Sequence, residues 1–161
     1  MAMFDYNLPF RELRDKAKIF YDAVGSIDCP VLKARVVFPS NGFHHLRYNN
    51  NRSERPKPVQ RNKMAYLEEA VSIIKKTTTL QEFRDFHEPE GLKDASGFRK
   101  LCVVSYYGFW AVVSRKIRLK VIVRQVEGGQ FSFWSVMPYW SEKIIGGKKE
   151  KIFGSKNIPN E

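Results

Sequence analysis

Hydrophobic and polar positions change period along the chain, and the change marks out the elements. Pro9 stands where a first-turn proline belongs, and Phe10, Leu13, Ala17, Phe20 and Val24 follow at helical spacing up to Gly25, which predicts a first helix. VLKARVVF at 31–38 alternates Lys33 and Arg35 with Ala34, Val36 and Phe38, the two-residue period of a strand. After the turn PSNG, the piece FHHLRY reads as a short helix. Leu67, Ala70, Val71 and Ile74 stripe a longer one over 64–76, with Glu68 and Glu69 early and Lys75 and Lys76 late, as the helix dipole favours. Thr79 and Glu82 fit a capping box, which predicts a third, short helix ending near His87. Residues 99–115 read as strand, with Gly108 as a break or bulge.

The sharpest pattern is KIRLKVIVRQVEGGQFSFWSVMP at 116–138. Two runs rich in β-branched and aromatic residues flank Gly128-Gly129, a hairpin turn signal. A two-residue turn there predicts the pairs Val123–Trp134, Val121–Val136, Arg124–Phe133, Ile122–Ser135 and Lys120–Met137. Opposed residues share a face. Leu119, Val121, Val123, Trp134 and Val136 then form a core face, while Arg118, Lys120 and Arg124 gather with Phe133 and Ser135 on the other. Helices, one strand, helices and then an antiparallel meander predict an α+β fold, with N-terminal helices on one face of a small antiparallel sheet. The expected organisation is a single domain over 1–140 and a basic, mobile tail over 141–161.

Charge adds a partner to this outline. The chain of 161 residues carries a formal net charge of +11, and the excess is concentrated in two places. Arg47, Arg52, Arg55, Lys57, Arg61 and Lys63 face only Glu54 within 47–63, and Arg115, Lys116, Arg118, Lys120 and Arg124 stand without an acid within 115–124. Clustered positive charge favours a polyanion. The run NNNRSERPKPVQRNK at 49–63 reads as a polar loop suited to touching such a ligand. No apolar run is long enough to span a membrane, and the amino terminus lacks a secretory pattern. Cys29 and Cys102 have neither CxxC nor ligand spacing, so they read as free thiols in a cytoplasmic protein. No cofactor or metal is expected, and P-loop, GxGxxG and GxSxG motifs are absent.

Candidate chemistry centres on Gly42-Phe43-His44-His45-Leu46-Arg47-Tyr48. In a helix, Phe43 and Leu46 would anchor while His44 and His45 project to either flank. An imidazole with a pKa near the ordinary ~6.5 both takes and gives a proton at neutral pH. That suits RNA cleavage without metal: a base removes the 2′-hydroxyl proton, that oxygen attacks phosphorus, and an acid protonates the leaving 5′ oxygen. His45 or His44 would exchange the proton, Arg47, Lys120 and Arg124 would meet the charge, and Ser135 and Tyr48 would donate. Arg52, Arg55, Lys57, Arg61, Arg118 and Phe133 complete the expected nucleic-acid surface. Phe131, Trp134, Tyr139 and Trp140 are further stacking candidates.

GFHHL at 42–46, Arg124 in the penultimate strand and FWSVMP at 133–138 resemble the barnase, EndoU, colicin and RelE-like superfamily of metal-independent ribonucleases, many of them toxins. The resemblance implies His45 as general acid/base, Arg124 as phosphate ligand and Ser135 as a donor to the transition state. It also implies a toxin-like endoribonuclease leaving a 2′,3′-cyclic phosphate, with an antitoxin or immunity protein as partner. LPFRELRDKA and KIRLKVIVRQVEGG resemble, over nearly the whole chain, a group of small bacterial and phage-borne proteins of unassigned activity. The alternatives are a module that binds RNA (tRNA or mRNA) or DNA without cutting it, and a regulatory partner of an acidic protein.

Overall fold

The computed structural model describes residues 5–50, 52–140, 143–145 and 148–150. Helix α1, Phe10–Val24, runs from Pro9 to Gly25, whose φ of 66° ends it as the sequence predicts. It is followed by strands β1, Ser26–Cys29, and β2, Ala34–Val37. Three helices come next: α2, Ser40–Arg47; α3, Lys57–Ala65; and α4, Leu67–Lys76. Four long strands complete the body: β3, Glu82–Glu90; β4, Lys100–Ser114; β5, Ile117–Val126; and β6, Phe131–Trp140. This is an α+β fold. Its six-stranded sheet has the order β1-β2-β6-β5-β4-β3, antiparallel throughout except where β2 runs parallel to β6. In the stretch expected to be a tail, Lys143–Ile145 (β7) and Lys148–Glu150 (β8) pair with each other, and the rest lies outside the described residues.

The main core lies between the helices and one sheet face. Leu13, Ala17 and Tyr21 of α1, Phe43 and Leu46 of α2, and Leu67, Ala70 and Ile74 of α4 meet Phe109, Leu119, Val121, Val123, Phe133 and Val136. Removing this much apolar surface from water, at roughly 25 cal/mol per Å², drives the helices onto the sheet. A smaller cluster on the opposite face holds Val104, Tyr106 and Ile122, with Phe86, Val126 and Trp134 against it.

Five local expectations are corrected. Residues 82–90 form a strand, not a helix: the Thr79 hydroxyl accepts from Gln81, and β4 offers an antiparallel ladder from Glu82–Gly108 to Glu90–Lys100. A ladder satisfying nine residues outweighs a weak capping signal. Gly108 does not interrupt β4. The segment 31–38 is half of a second hairpin, closed where the Lys33 N–H donates to the Pro30 carbonyl at 3.2 Å. The polar run 49–63 turns helical at Lys57, with Pro58 in the first turn, and its Arg55, Gln60 and Lys63 are buried. Met64 and Ala65 close that helix, and α4 begins beyond the break at Tyr66.

The β5–β6 hairpin keeps half of its predicted register. Glu127 and Gly128, at φ 51° and 67°, are the central turn residues, and the Gly129 N–H donates to the Val126 carbonyl at 2.8 Å. Both lie at positive φ, the backbone of a type I′ turn. Gln125 then pairs with Phe131, so β6 carries one extra residue beside the turn. A second irregularity between Ile122 and Val123 adds another, at Trp134. Together they restore Ile122–Ser135, Val121–Val136 and Lys120–Met137 as predicted, but Val123 faces Phe133 and Arg124 faces Ser132. Phe133 therefore turns into the core, stacked on Phe38 at 4.9 Å, and is not a surface for nucleic acid. Trp134, expected in the core, is the residue the bulge turns out toward α2.

Candidate nucleic-acid interface

Helix α2 reaches the sheet because Gly42 has no side chain. A Cβ there would stand 2.3 Å from the Tyr21 hydroxyl and 2.6 Å from the Phe133 carbonyl oxygen. Tyr21 in turn donates to the Pro39 carbonyl at 2.6 Å, fixing the entry of the helix. Phe43 and Leu46 anchor it as predicted, and the two histidines take opposite environments.

His45 is buried, its ring stacked on Trp134 at 4.0 Å. The Arg55 guanidinium donates to His45 Nε2 at 3.1 Å and, through Nε, to the His45 carbonyl at 3.0 Å. A guanidinium has only donors, so Nε2 accepts and the ring proton sits on Nδ1. Burial, with Lys63, Arg55 and Arg124 nearby, pushes the His45 pKa down to about 2. Held neutral with its lone pair engaged, the ring serves here as the acceptor for Arg55 at the back of a cavity between α2 and the sheet. His44 is exposed, stacked on Tyr48 one turn later at 4.4 Å.

The chain after α2 folds back as a tight loop. The Asn49 N–H donates to the Ser53 carbonyl, the Arg52 N–H to the Asn49 carbonyl and the Arg55 N–H to the Arg47 carbonyl, each within 2.9 Å. This presents Arg52 outward while Arg55 turns in. Arg124 forms the opposite wall. Its guanidinium lies over Trp134 at 4.7 Å, pairs with Glu88 at 3.4 Å and with Glu90, and donates to the Tyr106 hydroxyl. Burial pushes the Tyr106 phenol up, so it stays protonated and donates to Glu88 at 2.8 Å.

Between these walls lies a cavity of about 370 Å³ lined by His44, Tyr48, Arg52, Glu90, Arg99, Arg124 and Trp134, among others. Arg52, Arg99 and Arg124 stand against Glu90 at the wall and Glu88 paired to Arg124 behind it, which leaves a positive balance that favours an anion over a cation. The sequence-predicted His44, His45, Tyr48, Arg52 and Arg124 meet here. The others do not. Ser135 is buried, its hydroxyl accepting from Lys63 Nζ at 2.8 Å. Lys120 is 1% exposed and paired with Glu82 at 2.8 Å. Arg118, six residues from Arg124, lies roughly 20 Å along β5. Arg47 donates to Gln60, Arg61 donates to the Tyr6 and Leu8 carbonyls, and Lys57 covers the Phe10 ring.

Glu90 and Arg99 were not legible as site residues. Over 88–100 the bases Lys93, Arg99 and Lys100 are cancelled by Glu88, Glu90 and Asp94, so a charge tally sees nothing there. Among the described residues, no group of three or more His, Cys, Asp or Glu side chains is placed to hold a metal ion, and no helix is long and apolar enough to cross a membrane. No family model matches the chain, and neither a curated protein nor a solved structure matches it significantly.

Proposed function

We propose that the protein binds single-stranded nucleic acid, RNA above all, in the cavity between α2 and the sheet. The observation that carries this reading is the convergence of Arg52 and Arg99 from two loops and Arg124 from β5 on one opening whose rim also bears the stacked His44–Tyr48 pair. Guanidinium groups bind phosphate oxygens in pairs, and flat rings accept unpaired bases. The test is a gel shift of a short labelled RNA with wild type and Arg99→Ala. Weaker binding by the variant is expected; no binding by wild type at low salt would overturn the reading.

A second reading, metal-independent RNA cleavage, is favoured by one further feature: an exposed imidazole, His44, and a carboxylate, Glu90, line the same cavity from different elements. In that reaction Glu90 would take the 2′-hydroxyl proton as O2′ bonds to phosphorus. His44 would give its proton to O5′ as the P–O5′ bond breaks, leaving a 2′,3′-cyclic phosphate. The arginines would meet the charge that builds on the phosphoryl oxygens. Total tRNA incubated in EDTA separates the readings. Fragments with cyclic phosphate ends, lost in His44→Ala and in Glu90→Gln while binding persists, would establish cleavage; intact RNA leaves binding alone.

A further inference from the structure

A second cavity, of about 460 Å³, opens beside the first, lined by Asn50, Arg52, Lys93, Phe98 and Arg99 together with Pro89 and Gly97. Asn50, Arg52 and Arg99 border both, so the cations of one are the wall of the other. Phe98 projects from the β3–β4 loop with 71% of its surface exposed. A large apolar ring left in water among cations is a costly arrangement, and this one is held firmly. Asp94 Oδ1 accepts the Ser96 N–H at 2.8 Å and the Phe98 N–H at 3.0 Å. The Asp94 N–H donates to the Phe98 carbonyl at 2.7 Å, and Gly97, at φ +83°, supplies the backbone conformation the turn needs. Both main-chain polar groups of Phe98 are thus pinned, and its ring is presented with its backbone already ordered.

We propose that Phe98 is the stacking platform of a second nucleotide subsite, adjoining the one at His44. The proposal rests on the reading that the first cavity holds a single strand, and it names the strand's path. One base lies by the His44–Tyr48 pair, its linking phosphate crosses Arg52 and Arg99, and the next base stacks on Phe98 with Lys93 beyond it. Bases in a duplex already have both faces covered, so an aromatic platform selects unpaired strands.

The test compares a mononucleotide, a short single-stranded oligonucleotide and the same sequence as a duplex, titrated against wild type, Phe98→Ala and Phe98→Trp. Phe98→Ala is expected to weaken the oligonucleotide by about tenfold while leaving the mononucleotide unchanged, and RNA and DNA should lose alike. Phe98→Trp should keep the affinity, and its added indole fluorescence should change when the oligonucleotide binds but not when the mononucleotide does. Oligonucleotide affinity unchanged in Phe98→Ala, or an indole blind to the oligonucleotide, would overturn the subsite while the first cavity stands. A wild type that binds none of the three would overturn both.

Discussion

His44 and His45 stand about 100° apart around α2, and that rotation separates an exposed ring from a buried one. The consequence for His45 is a pH-dependent stability with a definite sign. Unfolded, the imidazole takes a proton near the ordinary ~6.5. Folded, it refuses one until about pH 2, because burial and three neighbouring cations oppose the charge. Below the unfolded value the unfolded chain binds the extra proton, so stability falls with pH, by at most about 1.4 kcal/mol per unit. Above that value this contribution is flat. Denaturant titrations should show the decline between about pH 6 and pH 4, and His45→Gln should shallow it. An NMR titration in which the His45 ring protonates near its ordinary value would refute the account. The pair was visible in the sequence, and so were its anchors Phe43 and Leu46. That Arg55 would occupy one ring nitrogen was not, because the loop bringing Arg55 back is closed by backbone hydrogen bonds that no residue pattern announces.

On the scale of elements, the second sheet face is ordered by ion pairs that cross strands. Gly108 in β4 leaves room between β3 and β5: a Cβ there would stand 3.0 Å from Glu82 Cβ and 3.5 Å from Lys120 Cε. Through that gap Glu82 reaches Lys120, and the ammonium also lies over the Trp110 ring at 5.5 Å. Glu82→Ala removes the carboxylate from a lysine that is 1% exposed, and is expected to cost about 3 kcal/mol in denaturant unfolding. Glu82→Leu combined with Lys120→Met should cost less than that single change, since no charge is then left buried. A double variant no more stable than Glu82→Ala would count against this account. The hairpin turn signal was legible to within one residue. The bulge at Trp134 was not: it sets Phe133, which packs against Phe38 and Tyr21, and Val136 on the same core face, and those partners lie far away in sequence.

Across the whole molecule, the cations behind the net charge of +11 include some held by internal partners and some that line the cavity, Arg124 being both. Arg55, Lys63 and Lys120 are buried, and Arg61 holds the segment before α1. Arg52, Arg99 and Arg124 line the cavity. Single-strand affinity governed by these three should fall with salt at a slope of about −2 in log–log form, and Arg99→Ala should make it shallower by about 0.7. A salt-independent affinity would show that the arginines are not phosphate contacts.

By itself the sequence determined the fold class, the first helix, the apolar stripe of α4, the existence of the last hairpin and the basic character of the surface. Each is a local or summed property: a period of 3.6 or 2, a turn dipeptide, a count of charges. Only the tertiary structure decided which cations are spent on internal partners, that residues 82–90 are a strand, that Phe133 points in and Trp134 out, and that Glu90 and Arg99 join His44. Those outcomes depend on what lies across the sheet or the loop from each residue, at separations in sequence that no local pattern spans.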